Sequence, residues 1–154
     1  MRLVLQPDND VLLTDRLREA SAVTAPLVRD VVEFICRRHS HPGQASAIAR
    51  IERLIAAEAW AEVALALIDL ELPRWQLRRL AYDGGEWHCA LSRRREVPEW
   101  LDQAVEANHP DLPGAVLEAF LEARRIVARL GRPSVPATPR DSAPCALLSC
   151  DNFS

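Results

Sequence analysis

The amino-acid sequence predicts an α+β fold, mostly helical, with amphipathic helices packed on one two-stranded antiparallel β-hairpin in the order α-α-β-β-α-α. Three observations carry this. The stretch Ala45 to Leu70 holds neither glycine nor proline and repeats apolar residues at helical spacing. Asp83-Gly84-Gly85-Glu86 separates two runs of alternating and aromatic residues, as a tight hairpin does. Val116, Ala119, Phe120, Ala123, Ile126, Val127 and Leu130 form a helical stripe, closed by Gly131 and Pro133.

At the N-terminus, Arg2-Leu3-Val4-Leu5-Gln6 and Val11-Leu12-Leu13-Thr14 flank the turn-rich Pro7-Asp8-Asn9-Asp10, which suits either a short hairpin or an irregular arm. A helix is expected from Pro26 to His39. Thr24 is placed to cap it, Pro26 suits its first turn, and Val28, Val31, Val32 and Ile35 recur on one face. Ser40-His41-Pro42-Gly43 breaks it.

In the next stretch, Ile48, Ile51, Leu54 and Ile55 share an apolar face with Trp60, Val63, Ala64, Leu67 and Ile68. One long helix or a helical hairpin bending near Ala57-Glu58 satisfies this. Pro73 ends it. In the hairpin, pairing Tyr82 with Trp87 sets Leu80 opposite Cys89 and Arg78 opposite Leu91, with Leu80, Tyr82, Trp87, Cys89 and Leu91 on one face. A short helix is expected from Pro98, with Trp100, Leu101, Ala104 and Val105 inward, ending at Asn108-His109-Pro110. Asp111 and Pro113 open the last helix. The reading divides the chain into an arm with one helix (1–43), a core domain (44–131) and a disordered, proline-rich tail (132–154).

The formal charge is −3 over 154 residues, which gives no global attraction to nucleic acid or anionic membrane. All nineteen basic residues are arginine. Guanidinium stays protonated, so Schiff-base chemistry, lysine general bases and a Gly-Lys-Ser/Thr phosphate loop are excluded. No run reaches the ~18 apolar residues of a membrane span, and Met1 to Asp10 lacks an apolar signal-peptide core. Cys36, Cys89, Cys145 and Cys150 show no disulfide-scaffold or C-x-x-C pattern. These features lead to the expectation of a cytoplasmic protein with free thiols, no cofactor and no membrane partner.

Several constellations invite chemistry. Cys36, His39 and His41 with His88 or His109 offer zinc-ligand types, but no second pair stands at structural-zinc spacing, so no metal is expected. Glu99, Asp102, Glu106 and His109 line one face of the short helix opposite Leu101 and Val105. A single Glu-x-x-His falls short of a di-iron set, so this reads as a solvated face. His88 and Cys89 are strand neighbours and point to opposite faces, which excludes a dyad. No catalytic or cofactor-binding residue emerges.

Two surfaces remain. Arg74, Arg78, Arg79, Arg93, Arg94 and Arg95 outnumber Asp83 and Glu86 around the hairpin, and Trp75 is expected on the outer parity beside Arg79. Arg74, Trp75, Arg79, Arg93, Arg94 and Arg95 are therefore candidate nucleic-acid contacts, through phosphates and a stacked base. Leu117 and Leu121 widen the last helix's stripe beyond what one neighbour covers, and are candidates for self-association or for a helical protein partner, with burial by the N-terminal arm of the same chain as the alternative.

Leu54-Ile55, Ala59-Trp60, Leu72-Pro73-Arg74-Trp75, Tyr82 to Cys89, Leu91-Ser92, Pro98-Glu99-Trp100-Leu101-Asp102 and His109-Pro110-Asp111-Leu112 carry a resemblance. The stretch from Ala49 to Arg125 resembles a family of short bacterial proteins of no assigned function, which implies no activity. The sequence leads to the expectation of a small non-enzymatic interaction or regulatory module that self-associates through helix faces, with nucleic-acid association through the arginine-rich hairpin as the alternative.

Overall fold

A computed structural model of the chain describes residues 8–37, 42–93 and 104–131. Its elements are α1 (Asp8–Glu19), α2 (Ala25–Cys36), α3 (Ala45–Ala56), α4 (Trp60–Glu71), β1 (Trp75–Asp83), β2 (Glu86–Arg93), β3 (Val105–His109) and α5 (Leu112–Leu130). The strands make one antiparallel sheet in the order β1-β2-β3. The fold is therefore α+β as expected, with a third strand added to the hairpin.

The N-terminal segment is neither a hairpin nor an irregular arm from Asp8 onward. Leu13 and Leu17 stand four residues apart and bury one face of α1, and Thr14 beside them donates its hydroxyl to the Asp10 carbonyl at 2.8 Å. Val11 and Leu12, which give the stretch its strand-like look, stay exposed. In α2, Leu27, Val28, Val31, Val32 and Ile35 are buried. The Thr24 hydroxyl makes no cap bond; its carbonyl instead accepts the Val28 amide at 3.0 Å. Residues 8–37 thus bring eight buried apolar side chains, Val23 among them, to the same core as the rest of the chain.

The long stretch divides into α3 and α4 at Ala57–Ala59. Glu58 takes φ 55°, while the Glu58 amide donates to the Ile55 carbonyl and the Ala59 amide to the Leu54 carbonyl, each at 3.0 Å. This is a Schellman stop with glutamate where glycine is usual.

Gly84 (φ 61°) and Gly85 (φ 88°) form the two-residue turn between β1 and β2, a conformation that matches the right-handed twist of the strands. Tyr82 pairs with Trp87 and Leu80 with Cys89, as read from the sequence. Beyond that the register departs, because Leu77 pairs with Leu91 and Arg79 with Ala90, leaving Arg78 as a bulge.

The short helix expected to end at His109 is corrected over the residues described: Val105–His109 is a strand paired with β2. Val105, Ala107 and His109 are buried while Glu106 and Asn108 are exposed, a period of two that Val-Glu-Ala-Asn-His satisfies as well as a helix. Pro98 to Gln103, with Glu99 and Asp102, lie outside the described residues. Glu106 and His109 consequently point to opposite faces and do not share the stripe expected of them.

The helices pack on the sheet face of Cys89, Leu91, Val105 and Ala107, with α5 between α1 and α4. Leu117 and Leu121 are 0% and 1% exposed, which removes them as a self-association surface. The chain's own α1 and α4 cover the width that the sequence left over. Among the described residues no helix is long and apolar enough to cross a membrane.

Candidate functional site

The bulge at Arg78 decides which side chains reach the outer face of the sheet. An extra residue inverts the alternation before it, so Trp75 joins the core face and is 2% exposed. It cannot stack a base as expected. The Arg93 guanidinium lies 5.8 Å from its ring centroid, covering the indole from the rim. Arg74, Arg78 and Arg79 are exposed and Arg93 is half-buried, while Arg94 and Arg95 lie outside the described residues. The arginines around the hairpin are thus divided between the core rim and solvent.

What the outer face presents is two rows across three strands. Ala81, His88 and Asn108 form one row, and Arg79, Ala90 and Glu106 the next. Ala81 and Ala90 are floor, and the larger side chains stand around a depression of about 160 Å³ whose lining includes Asp83. His88 spans the sheet: Nδ1 lies 2.8 Å from Asn108 Oδ1 on β3, and Nε2 lies 3.2 Å from the Asp83 carbonyl on β1. Both neighbours are oxygens, so a neutral ring donates to one of the two. Arg79 and Glu106, exposed on either side of Ala90, pair with no charged group among the described residues. In the following row Ser92 is fully buried with its Oγ unpartnered, so the open part of the face runs from Ala90 to the hairpin tip.

The remaining chemistry-bearing groups are built into the scaffold. His109 is 1% exposed; its Nε2–H donates to the Leu17 carbonyl at 2.9 Å and its Nδ1 accepts the Asp111 amide at 2.9 Å. The ring satisfies a carbonyl that α1 leaves free at its C-terminus. The Asp111 carboxylate, expected to cap α5, instead accepts the Val23 amide at 2.8 Å, tying the β3–α5 corner to the α1–α2 connection. Burial pushes the Cys89 thiol up to about 12, and burial followed by the Glu52 and Glu71 carboxylates raises Cys36. Both are held as thiols at neutral pH.

Sequence reasoning missed Arg124. Its Nη1 donates to Asp10 at 2.6 Å, its Nε to Glu71 at 3.0 Å, and its guanidinium sits 4.7 Å from the Phe34 ring centroid. One buried cation thereby joins α1, α2, α4 and α5. The signal was present: Arg124 continues the line of Leu117 and Leu121 at helical spacing, on the side that α1 and α4 cover.

A second depression, of about 320 Å³, lies between α1 and α2 over Leu12, Leu13 and Phe34. Its rim charges already pair, Arg16 with Asp30 at 2.7 Å and Arg37 with Glu33. Among the described residues no group of three His, Cys, Asp or Glu side chains is placed to hold a metal ion. Compared with known proteins, the chain matches no protein-family model, no curated protein and no solved structure.

Proposed function

We propose that this chain is a small non-enzymatic interaction module that associates with itself, acting through the uncovered face of its sheet. The observation that carries the reading is the pair Arg79 and Glu106. Opposite charges stand exposed on one face of the sheet, each without an ionic partner among the described residues, around an alanine floor. An antiparallel sheet can simply be solvated on one side. Unpaired opposite charges over small residues go beyond that, because they suit a complementary surface.

The disposition of the reactive groups points the same way. Small-molecule sites usually enclose roughly 300 Å³ or more, and the depression here is about half that. His88 lies between two oxygen acceptors on the flanking strands, His109 is locked in the core, and both described thiols are protonated. The expectation of self-association through Leu117 and Leu121 is replaced by this face.

A nucleic-acid reading draws on Arg74, Arg78 and Arg79, exposed along β1 and the turn before it. It is weakened by the burial of Trp75, which leaves the hairpin arginines without their stacking platform.

Light scattering of the purified protein across concentration, at low and high salt and with absorbance recorded at 260 nm, tests both. A mass that rises with concentration and carries no nucleic acid supports the interaction module. A constant monomer mass overturns self-association. Bound nucleic acid released as salt rises favours the arginine reading.

A further inference from the structure

We infer that the partner for this face is a second copy of the same chain, docked face to face about a twofold axis parallel to β2. The inference rests on the self-association reading above and names its surface and geometry. Arg79 and Glu106 both pair with Ala90, one from each side, so each stands one strand from the centre of the sheet. That distance is roughly 4.8 Å on either side. A twofold parallel to the central strand exchanges left for right. It brings Arg79 of each copy over Glu106 of the other, and the two ion pairs form reciprocally, as an isologous interface requires.

The alternative twofold, perpendicular to the strands, sets Arg79 against Arg79 and Glu106 against Glu106, which like-charge repulsion disfavours. The axis is therefore chosen by charge. Ala81 and Ala90 add no bulk between the sheets, and in the neighbouring row His88 faces its own equivalent across the axis, with Ala81 opposite Asn108. Six side chains per copy (79, 81, 88, 90, 106 and 108) are far fewer than the roughly 20–30 residues a side of a standard interface. A weak, concentration-dependent dimer is expected, loosened by salt.

Arg79→Glu and Glu106→Arg test this, since both positions are exposed and charge reversal there leaves the core intact. Each variant is purified as the full chain, checked for native far-UV dichroism, and its dimer dissociation constant is measured by sedimentation equilibrium. Each alone sets like charges in apposition and is expected to raise the constant at least about tenfold. An equimolar mixture of the two variants is expected to recover association, because glutamate at 79 and 106 in one copy then meets arginine at 106 and 79 in the other. The double variant recovers it within a single species. If the native chain dimerises and the single variants dimerise as tightly, or the mixture stays monomeric, the face is wrong while self-association stands. If the native chain is a monomer at every concentration, the self-association reading fails with it.

Discussion

The imidazole of His109 lies so close over Gly114 that a Cβ there would stand 2.2 Å from Nδ1 and 2.4 Å from Cε1. Gly114, in the first turn of α5, is thus bare backbone because a buried ring from β3 occupies the space a side chain would need. Gly114→Ala is expected to destabilise the fold by about 1–3 kcal/mol, the usual range for overpacking a closed core. Urea denaturation measures it. Adding His109→Ala to Gly114→Ala should cost less than the two single changes together, since the clash is removed.

Glu58 makes the opposite prediction. Its φ of 55° is a conformation that glycine adopts without steric cost and glutamate does not. Glu58→Gly is expected to stabilise the chain by about 0.5–1 kcal/mol, read as a rise in thermal midpoint. Glu58→Ala should gain little or nothing, which separates backbone strain from loss of the side chain.

Arg124 is 5% exposed and bound to two carboxylates on different helices. Removing one partner of a buried pair typically costs about 3–5 kcal/mol, and here two half-buried carboxylates lose this cation. Arg124→Ala is expected to fall in that range by denaturant unfolding. Arg124→Lys should recover only part, since an ammonium cannot reproduce the planar fork or its stacking on Phe34.

The Cys89 thiol gives the pH dependence. Burial lifts it from 9.0 to about 12, so above pH 9 the unfolded chain loses a proton that the folded chain keeps. The stability carried by this thiol is complete below pH 9 and is lost as pH rises toward 12. The stability difference between the native chain and Cys89→Ala should stay constant from pH 7 to 8.5 and shrink above it. A difference that does not change up to pH 10.5 would contradict the burial argument. In the folded protein Cys89 should also react with maleimide far more slowly than half-buried Cys36 at pH 7.5.

Much of the architecture is legible in the residues, for local reasons. Gly84 and Gly85 permit the turn, and the Tyr82 and Trp87 rings, 5.2 Å apart, mark the register next to it. What escapes is whatever tertiary structure decides. Leu77-Arg78-Arg79-Leu80 fits either parity, and only the buried location for Trp75 selects the bulge. Val105 to His109 suits helix and strand alike until β2 needs a neighbour.

The strand-like look of Val11 to Thr14 has the widest effect. Without Leu13 and Leu17 on a helix, Leu117 and Leu121 exceed what the sequence supplies to cover them. The face proposed instead includes Arg79 and His88, both noticed in the sequence. Glu106 reads in the sequence as part of a helix, where it could not stand across Ala90 from Arg79.

The clasp at Arg124 also bears on how the chain is made. Asp10 and Arg124 are separated by 114 positions, so α1 leaves the ribosome more than a hundred residues before the partner it clasps. Until α5 has been synthesised, α1 has only α2 to lie against, and the Asp10 and Glu71 carboxylates lack their shared cation. Contacts of such long span slow folding and delay completion of the core. Nascent chains that end before Leu112 should therefore be open to proteases, and resistance should arise abruptly once Arg124 has cleared the exit tunnel.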